Sequence, residues 1–353
     1  MADINLLTPG RIDGFDTPNR IFMAPMTRSR AHAGGVPSEL AITYYAQRAS
    51  VGLILTEGTA PSAVGLGYAR TPAIHTQEQI DAWKKITSAV HAKGGHIFLQ
   101  FMHVGRIASA LNRYTDEPPV APSVVKAAGQ MWTDQSGLQD FDTPRALELN
   151  EIPGVIEEYA QATRNALAAG FDGVELHSAS GYLPMQFLST GTNKRTDAYG
   201  GSVTNRIRFV VEALEAMIAA AGSSERVGIK ISPAMPFNDC TDDDPIETYT
   251  TLVKAISPLN LAYLHALRTT IPNTFELLRP LFKGPFAAGG GFDFEKGNAL
   301  LASGGADFIV FGKLMTSNPD LPHRFASGAD LTTWDAATFY TPGEKGYTDF
   351  ITV

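Results

Sequence analysis

Eight short apolar runs, nearly every one separated from the next by a stretch of helical periodicity, constrain this chain more than any other feature. The runs lie at 21–26, 52–56, 96–101, 171–176, 227–231, 261–267, 285–288 and 308–311. Each is too short for a stable helix and carries the β-branched or large apolar residues that suit a buried strand. Between them, 77–91, 152–169, 203–221 and 294–302 space their apolar residues as helices do, and Pro153, Pro245 and Pro319 stand where helices open. Eightfold strand–helix alternation predicts an α/β fold, a single (β/α)8 TIM barrel, although a doubly wound open sheet yields a similar string. At 353 residues, 44% of them hydrophobic, the chain can bury one large core, and nothing inside 1–353 marks a domain boundary.

One segment interrupts the alternation. Residues 105–150 are rich in Pro, Gly, Thr and Asp and show no sustained period, which predicts a long excursion after the third strand. Pro118, Pro119 and Pro122 favour extended or turn backbone there, and a loop of that length in a compact domain usually acts as a lid or binding element. Composition removes several classes of function. The single cysteine, Cys240, excludes an internal disulfide and any Cys-rich metal site, and the eight histidines lack metal-ligand spacing, so no metal is expected. A net charge of -8 offers no basic field to nucleic acid. No run approaches the length of about 18 apolar residues that a membrane span needs, and MADINLLTPGRIDGF lacks a basic segment ahead of an apolar one; a cytoplasmic protein is expected.

In a barrel the reacting groups come from the C-terminal ends of the strands. Those ends carry, in order, Pro25-Met26-Thr27, Thr56-Glu57-Gly58, Gln100-Phe101-Met102-His103, Glu175-Leu176-His177, Lys230, His265, Gly289-Gly290-Gly291 and Gly312-Lys313. Any one of them fits a satisfied polar residue near a strand end; eight at one rim point to a site. The last two suit an anion, because three glycines let backbone N–H groups approach a ligand, a helix opens near Asp293, and Lys313 adds positive charge. Phosphate is the natural guest, the alternative being that the glycines only permit a turn.

From His177 the sequence reads HSASGYLPMQFLSTGTNKRTDAYGGSVTNRIRF. This closely resembles the signature of the old yellow enzyme family, with Asn193, Arg195, Asp197, Tyr199, Gly200, Gly201, Ser202, Asn205 and Arg206 in the matching places. Further matches are APMTRSR from Ala24, TEG from Thr56, QFMHVGR from Gln100, GIKISP from Gly228, FGK from Phe311, NPDL from Asn318 and FYTPGEKGYTDF from Phe339. Together they extend the resemblance over residues 3 to 350.

The resemblance implies a tightly held, non-covalent FMN across the barrel mouth. Its phosphate would lie on Gly289, Gly290, Gly291, Gly312 and Lys313, with Pro25, Met26, Gly58 and His177 among the remaining contacts. Gln100, whose amide both donates and accepts, suits the pyrimidine edge; Thr27 suits a ring carbonyl; Lys230 suits the negative charge of the reduced ring. A buried ion pair with Glu57 or Glu175 is the competing role for Lys230. At the substrate end the resemblance implies that His177 polarises the activating group and that Tyr182 donates a proton, with Tyr68, Met102 and Tyr340 lining the pocket. The second donor, usually His or Asn three residues after the first, is here Ser180, a shorter side chain; loss of a direct donor costs about 1–3 kcal/mol. Lys313 stands where arginine is usual and Met102 where some relatives carry tryptophan.

The implied activity is an NADPH- or NADH-dependent ene-reductase acting on a small activated alkene, as monomer or homodimer. No strand–GxGxxG–helix fingerprint provides a separate dinucleotide domain, so both substrates would share one pocket. A related flavin barrel with pathway-specific or isomerase chemistry and a flavin-free phosphate-binding barrel are the alternatives.

Overall fold

The computed structural model describes residues 4–12 and 14–353. Each predicted run holds one strand: β1 (Ile21–Met23), β2 (Leu53–Leu55), β3 (Ile97–Phe101), β4 (Gly173–Ser178), β5 (Val227–Ile231), β6 (Tyr263–Leu267), β7 (Phe286–Gly289) and β8 (Phe308–Phe311). All pair in parallel in sequence order, and β8 pairs with β1, closing a barrel. Closure excludes the open sheet. The helices are α1 (Leu40–Ala46), α2 (Gln77–His91), α3 (Ile152–Ala168), α4 (Leu183–Leu188), α5 (Val203–Ala221), α6 (Pro245–Ile256), α7 (Thr274–Leu278), α8 (Phe294–Ala302), α9 (Lys313–Ser317) and α10 (Leu321–Ser327).

Local sequence accounts for the helix faces and ends. On α3 the buried residues Ile152, Val155, Tyr159, Ala162 and Ala166 recur every three or four positions, one stripe facing the strands. α2 opens with a reciprocal cap in which Thr76 accepts from the Gln79 backbone while the Gln79 side chain accepts from the Thr76 backbone. Pro319 lies in the turn ahead of α10 instead of opening it; Pro322 takes that place within the first helical turn.

The period of two along the strands divides the interior. Leu53, Leu55, Phe22, Phe98, Tyr263 and Phe308 form a cluster inside the barrel, while their chain neighbours Ile54, Leu99, Leu264 and Ile309 belong to the cluster shared with the helices. Bulky rings fit inside because glycine faces them: a Cβ on Gly173 would stand 2.4 Å from Phe98, and one on Gly228 2.5 Å from Tyr263. The same alternation, one step further along, turns Gln100, Glu175, Lys230 and His265 inward. Below, an N-terminal hairpin of Gly10–Ile12 and Phe15–Thr17 plugs the barrel with Ile12 and Phe15.

The excursion differs from the sequence expectation. It contains an antiparallel hairpin, Gln130–Thr133 with Gly137–Asp140, where no periodicity was legible. The reason is exposure: the second strand buries no residue, and in the first only Met131 and Thr133 turn inward, so the apolar alternation is too faint to read. No described helix is long and apolar enough to cross a membrane.

Candidate active site

Polar side chains meet at the C-terminal end of the barrel. Gln100 Nε2 donates to Glu175 Oε1 at 2.7 Å, and His265 Nδ1 lies 3.1 Å from Glu175 Oε2, with Glu175 and His265 fully buried. Strand register sets Lys230 between His177 and His265. Lys230 forms no direct ion pair with Glu57 or Glu175: burial lowers its pKa below the ordinary 10.5, and the charge of Glu175 opposes that shift from a distance.

His177 is neutral. Burial and then the charge of Lys230 hold its pKa well below 6.5. Its Nδ1 is sealed without a hydrogen-bond partner among the described residues. A buried N–H with no acceptor is less tolerable than an unused lone pair, so we assign the proton to Nε2, the ring nitrogen left to reach a ligand. The Tyr182 ring meets His177 edge-on, with centroids 4.8 Å apart. Tyr182, at the start of α4, donates its hydroxyl to Tyr68 Oη at 3.2 Å. Burial pushes this phenol well above its ordinary 10, Tyr68 adds to the shift and Asn238 opposes it. It therefore stays protonated at neutral pH. Ser180 adopts a left-handed conformation (φ +55°); its N–H donates to Ser232 Oγ at 2.9 Å and its hydroxyl is turned to Met235 Sδ, 3.7 Å away.

The glycine rim is shaped for an anion. Gly290 (φ +109°) and Gly291 (φ +74°) hold backbone that other residues rarely adopt, and their N–H groups donate to no backbone or side-chain acceptor among the described residues. Lys313 is exposed next to Gly312, its ammonium 5.9 Å from the Trp334 ring centroid. The helix beyond opens where expected: Asp293 caps α8 by accepting from Lys296 N at 2.8 Å and also binds the Lys296 ammonium. The N–H groups of Phe294 and Glu295 have no backbone or side-chain acceptor among the described residues. At the neighbouring strand ends, Met26 abuts Gly312 and Met102 packs over Gly58, where an added Cβ would stand 2.6 Å from Met102 Sδ. Pro25, Met26 and Thr27 are half-buried.

A cleft of about 1050 Å³ opens beside Tyr182, Tyr68 and Thr27. Its outer walls are Met131 and Trp132 of the hairpin, Phe237 after β5 and Tyr340 of the tail. Arg70 ties those walls together by donating to Ser29 O at 2.9 Å and Tyr340 O at 2.8 Å and pairing with Asp134 at the hairpin turn. The tail is fixed from below. Buried Arg28 donates to Phe339 O at 3.2 Å, Gly346 O at 2.6 Å and Tyr44 Oη at 2.9 Å, and Arg30 reaches Thr338 O and Gly343 O.

Arg70, Asn238 and the hairpin residues were not legible as site residues. Glu175 was legible at a strand end, but its pairing with neighbours on β3 and β6 was not, because only barrel closure brings them together. Asn238 sits at φ +57°, a conformation asparagine tolerates, and donates to Ser180 O at 2.8 Å; its type and its place after β5 were a faint signal. Conversely, most of the long motif after β4 is scaffolding. Asn193 donates to Phe187 O and Tyr199 O, Arg195 pairs with Asp197 and reaches Pro122 O, and Arg206 donates to Leu188 O and Thr248 Oγ1.

Buried imidazoles give the fold a pH dependence. Burial depresses His103 from 6.5 to about 3 and also lowers His177 and His265. In the unfolded chain each binds a proton near 6.5, so acidification below that value favours unfolding by about 1.4 kcal/mol per pH unit per imidazole. Glu57, raised by burial to about 7, acts in the opposite sense down to its ordinary 4.5. Burial also lowers His75 and His96 and raises Glu158, so five losses against two gains predict a lower urea midpoint near pH 5 than near pH 7. His103→Gln should flatten that dependence; an unchanged slope would remove His103 from the account.

Comparisons with known proteins find relatives along nearly the whole chain. The family described as NADH:flavin oxidoreductase / NADH oxidase matches residues 5–332. 12-Oxophytodienoate reductase 1 of Oryza sativa subsp. japonica is 42% identical over 99% of this chain and 93% of its own length, and 12-oxophytodienoate reductase 2 of Arabidopsis thaliana is 38% identical over 98% and 95%. The solved structure of the old yellow enzyme homologue from Zymomonas mobilis superimposes with a TM-score of 0.96 at 41% identity, covering 99% of this chain and all of that one. Morphinone reductase in complex with tetrahydroNAD gives 0.95 at 44% identity, covering 99% and 98%.

Proposed function

This chain belongs to the NADH:flavin oxidoreductase / NADH oxidase family, the flavoprotein oxidoreductases of old yellow enzyme type, and on that premise we propose that it is an FMN-dependent ene-reductase. It would take hydride from NADPH or NADH and reduce activated alkenes: enones, maleimides and nitroalkenes, with nitrate esters as a further class. The observation that carries this reading is the set of polar groups at the barrel mouth that have no hydrogen-bond partner among the described residues: Lys230, the Oε1 of Gln100, the hydroxyl of Thr27, the Nε2 of His177 and the N–H groups of Gly290 and Gly291. Acceptor, donor and cation suit the ring of a flavin, and the glycine rim with Lys313 suits its phosphate.

When bound, the flavin supplies a two-electron hydride carrier at N5. The protein supplies the rest. Gln100 and Thr27 orient the ring, and Lys230 offsets negative charge at its pyrimidine end. Pro25, Met26 and Gly58 complete the seat, and Gly289, Gly312 and Lys313 complete the phosphate site. His177 donates from Nε2 to the oxygen of the activating group, with Ser180 as the shorter second donor. Tyr182 then protonates the α-carbon while the β-carbon receives hydride, so that one proton and one hydride saturate the double bond. Tyr68, Met102 and Tyr340 bound the space in which the alkene lies. That morphinone reductase was solved in complex with tetrahydroNAD supports a nicotinamide cofactor as the hydride source.

The test is the visible flavin band of the purified protein under anaerobic conditions. NADPH or NADH should bleach it and 2-cyclohexenone should restore it. A protein that binds no FMN would overturn the reading; bleaching without recovery would retain the cofactor and overturn the substrate class.

A further inference from the structure

We infer that Glu175 is a positioning residue for the flavin site: it fixes which end of the Gln100 amide faces the cofactor and holds a negative charge next to Lys230. The inference rests on the flavin reading and concerns a group that the hydride and proton steps do not use. A carboxylate buried without exposure is stable only when its oxygens are engaged. Here Oε1 accepts from Gln100 Nε2 at 2.7 Å and Oε2 faces His265 Nδ1 at 3.1 Å. Because His265 is held neutral by burial, Nδ1 carries its proton and donates to Glu175, while Nε2 is sealed without a partner among the described residues. His265 is therefore an anchor for the carboxylate and not a cofactor contact.

The consequence falls on Gln100. Its backbone N–H is fixed to Thr56 Oγ1 at 3.1 Å and its side-chain nitrogen is committed to Glu175, so Oε1 is the end left as an acceptor. An amide and its flipped form have the same shape; a neighbour that only accepts or only donates selects between them, and the Glu175 oxygen that takes the Gln100 N–H is an acceptor. The same charge acts on Lys230, whose pKa it raises against burial. Glu175 thus sets both the hydrogen-bond sense and the net charge at one end of the site.

The test uses the holoenzyme, with the FMN dissociation constant and the midpoint potential as readouts. Glu175→Gln should weaken oxidised FMN about tenfold with little effect on the reduced form, which raises the potential by about 30 mV, the equivalent of tenfold for two electrons. A double variant with Gln100→Leu should bind FMN no worse than Gln100→Leu alone, because Glu175 acts through that amide. Glu175→Asp, which keeps the charge but withdraws the oxygens, should weaken FMN with the potential near wild type; it serves also where Glu175→Gln does not fold. Additive losses in the double variant, an unchanged potential in Glu175→Gln, or full affinity in Glu175→Asp would overturn the inference alone. A wild-type chain that takes up no FMN would overturn the flavin reading and this inference with it.

Discussion

Tyr182→Phe should leave bleaching of the flavin band by NADPH or NADH intact and slow its recovery by alkene by about 100- to 10,000-fold, the usual contribution of a positioned general acid. The asymmetry between the two half-reactions is the informative part. Hydride delivery to the ring needs no proton from the protein, whereas saturating the alkene does. The phenol is suited to that task because burial keeps it protonated, and its hydroxyl is held 3.2 Å from Tyr68 Oη. Phenylalanine keeps the ring that packs edge-on against His177, so the fold should survive. Stopped-flow measurement of each half-reaction decides the matter. Equal slowing of both would show that Tyr182 shapes the pocket, and no slowing of recovery would mean that the proton comes from elsewhere.

Arg28→Met should be the most damaging change outside the barrel mouth. The guanidinium is fully buried and donates to two tail carbonyls, Phe339 O and Gly346 O, and to Tyr44 Oη. Methionine fills part of the volume but leaves Gly346 O without its donor, while Phe339 O keeps the hydrogen bond from Arg30 Nη1 at 3.0 Å, so a loss of about 1–3 kcal/mol is expected. Thermal unfolding and amide exchange of the tail amides around residues 338–347 would report it. Because Tyr340 walls the cleft and its carbonyl anchors Arg70, KM for bulky alkenes should rise with the loss of order. A stable variant with a protected tail would show that Arg30, which grips the same segment through Thr338 O and Gly343 O, is sufficient.

The barrel was readable because its signal is local and repeated. Each strand is a short apolar run, each helix a stripe such as Ile152, Val155 and Tyr159, and eight repeats leave few architectures. Strand ends are local as well, which is why Gln100, His177, Lys230 and the glycines could be named from order alone. The hairpin at 130–140 was illegible because a ribbon lying over a cleft buries little and leaves Trp132 and Leu138 outward at 56% and 59% exposure.

The alternation and the types of polar group delivered to the rim were thus set by the sequence alone, since these depend on neighbours within a few residues, whereas the choice of a closed barrel over an open sheet came from the β8–β1 pairing. Only the tertiary structure decided how those groups pair. Gln100 and Glu175 are separated by 75 positions, Glu175 and His265 by 90, and Tyr68 and Tyr182 by 114. Contacts of that separation are made by closing the barrel and folding its loops over one end, and the orientation of an amide, the tautomer of an imidazole and the protonation of a phenol follow from those contacts.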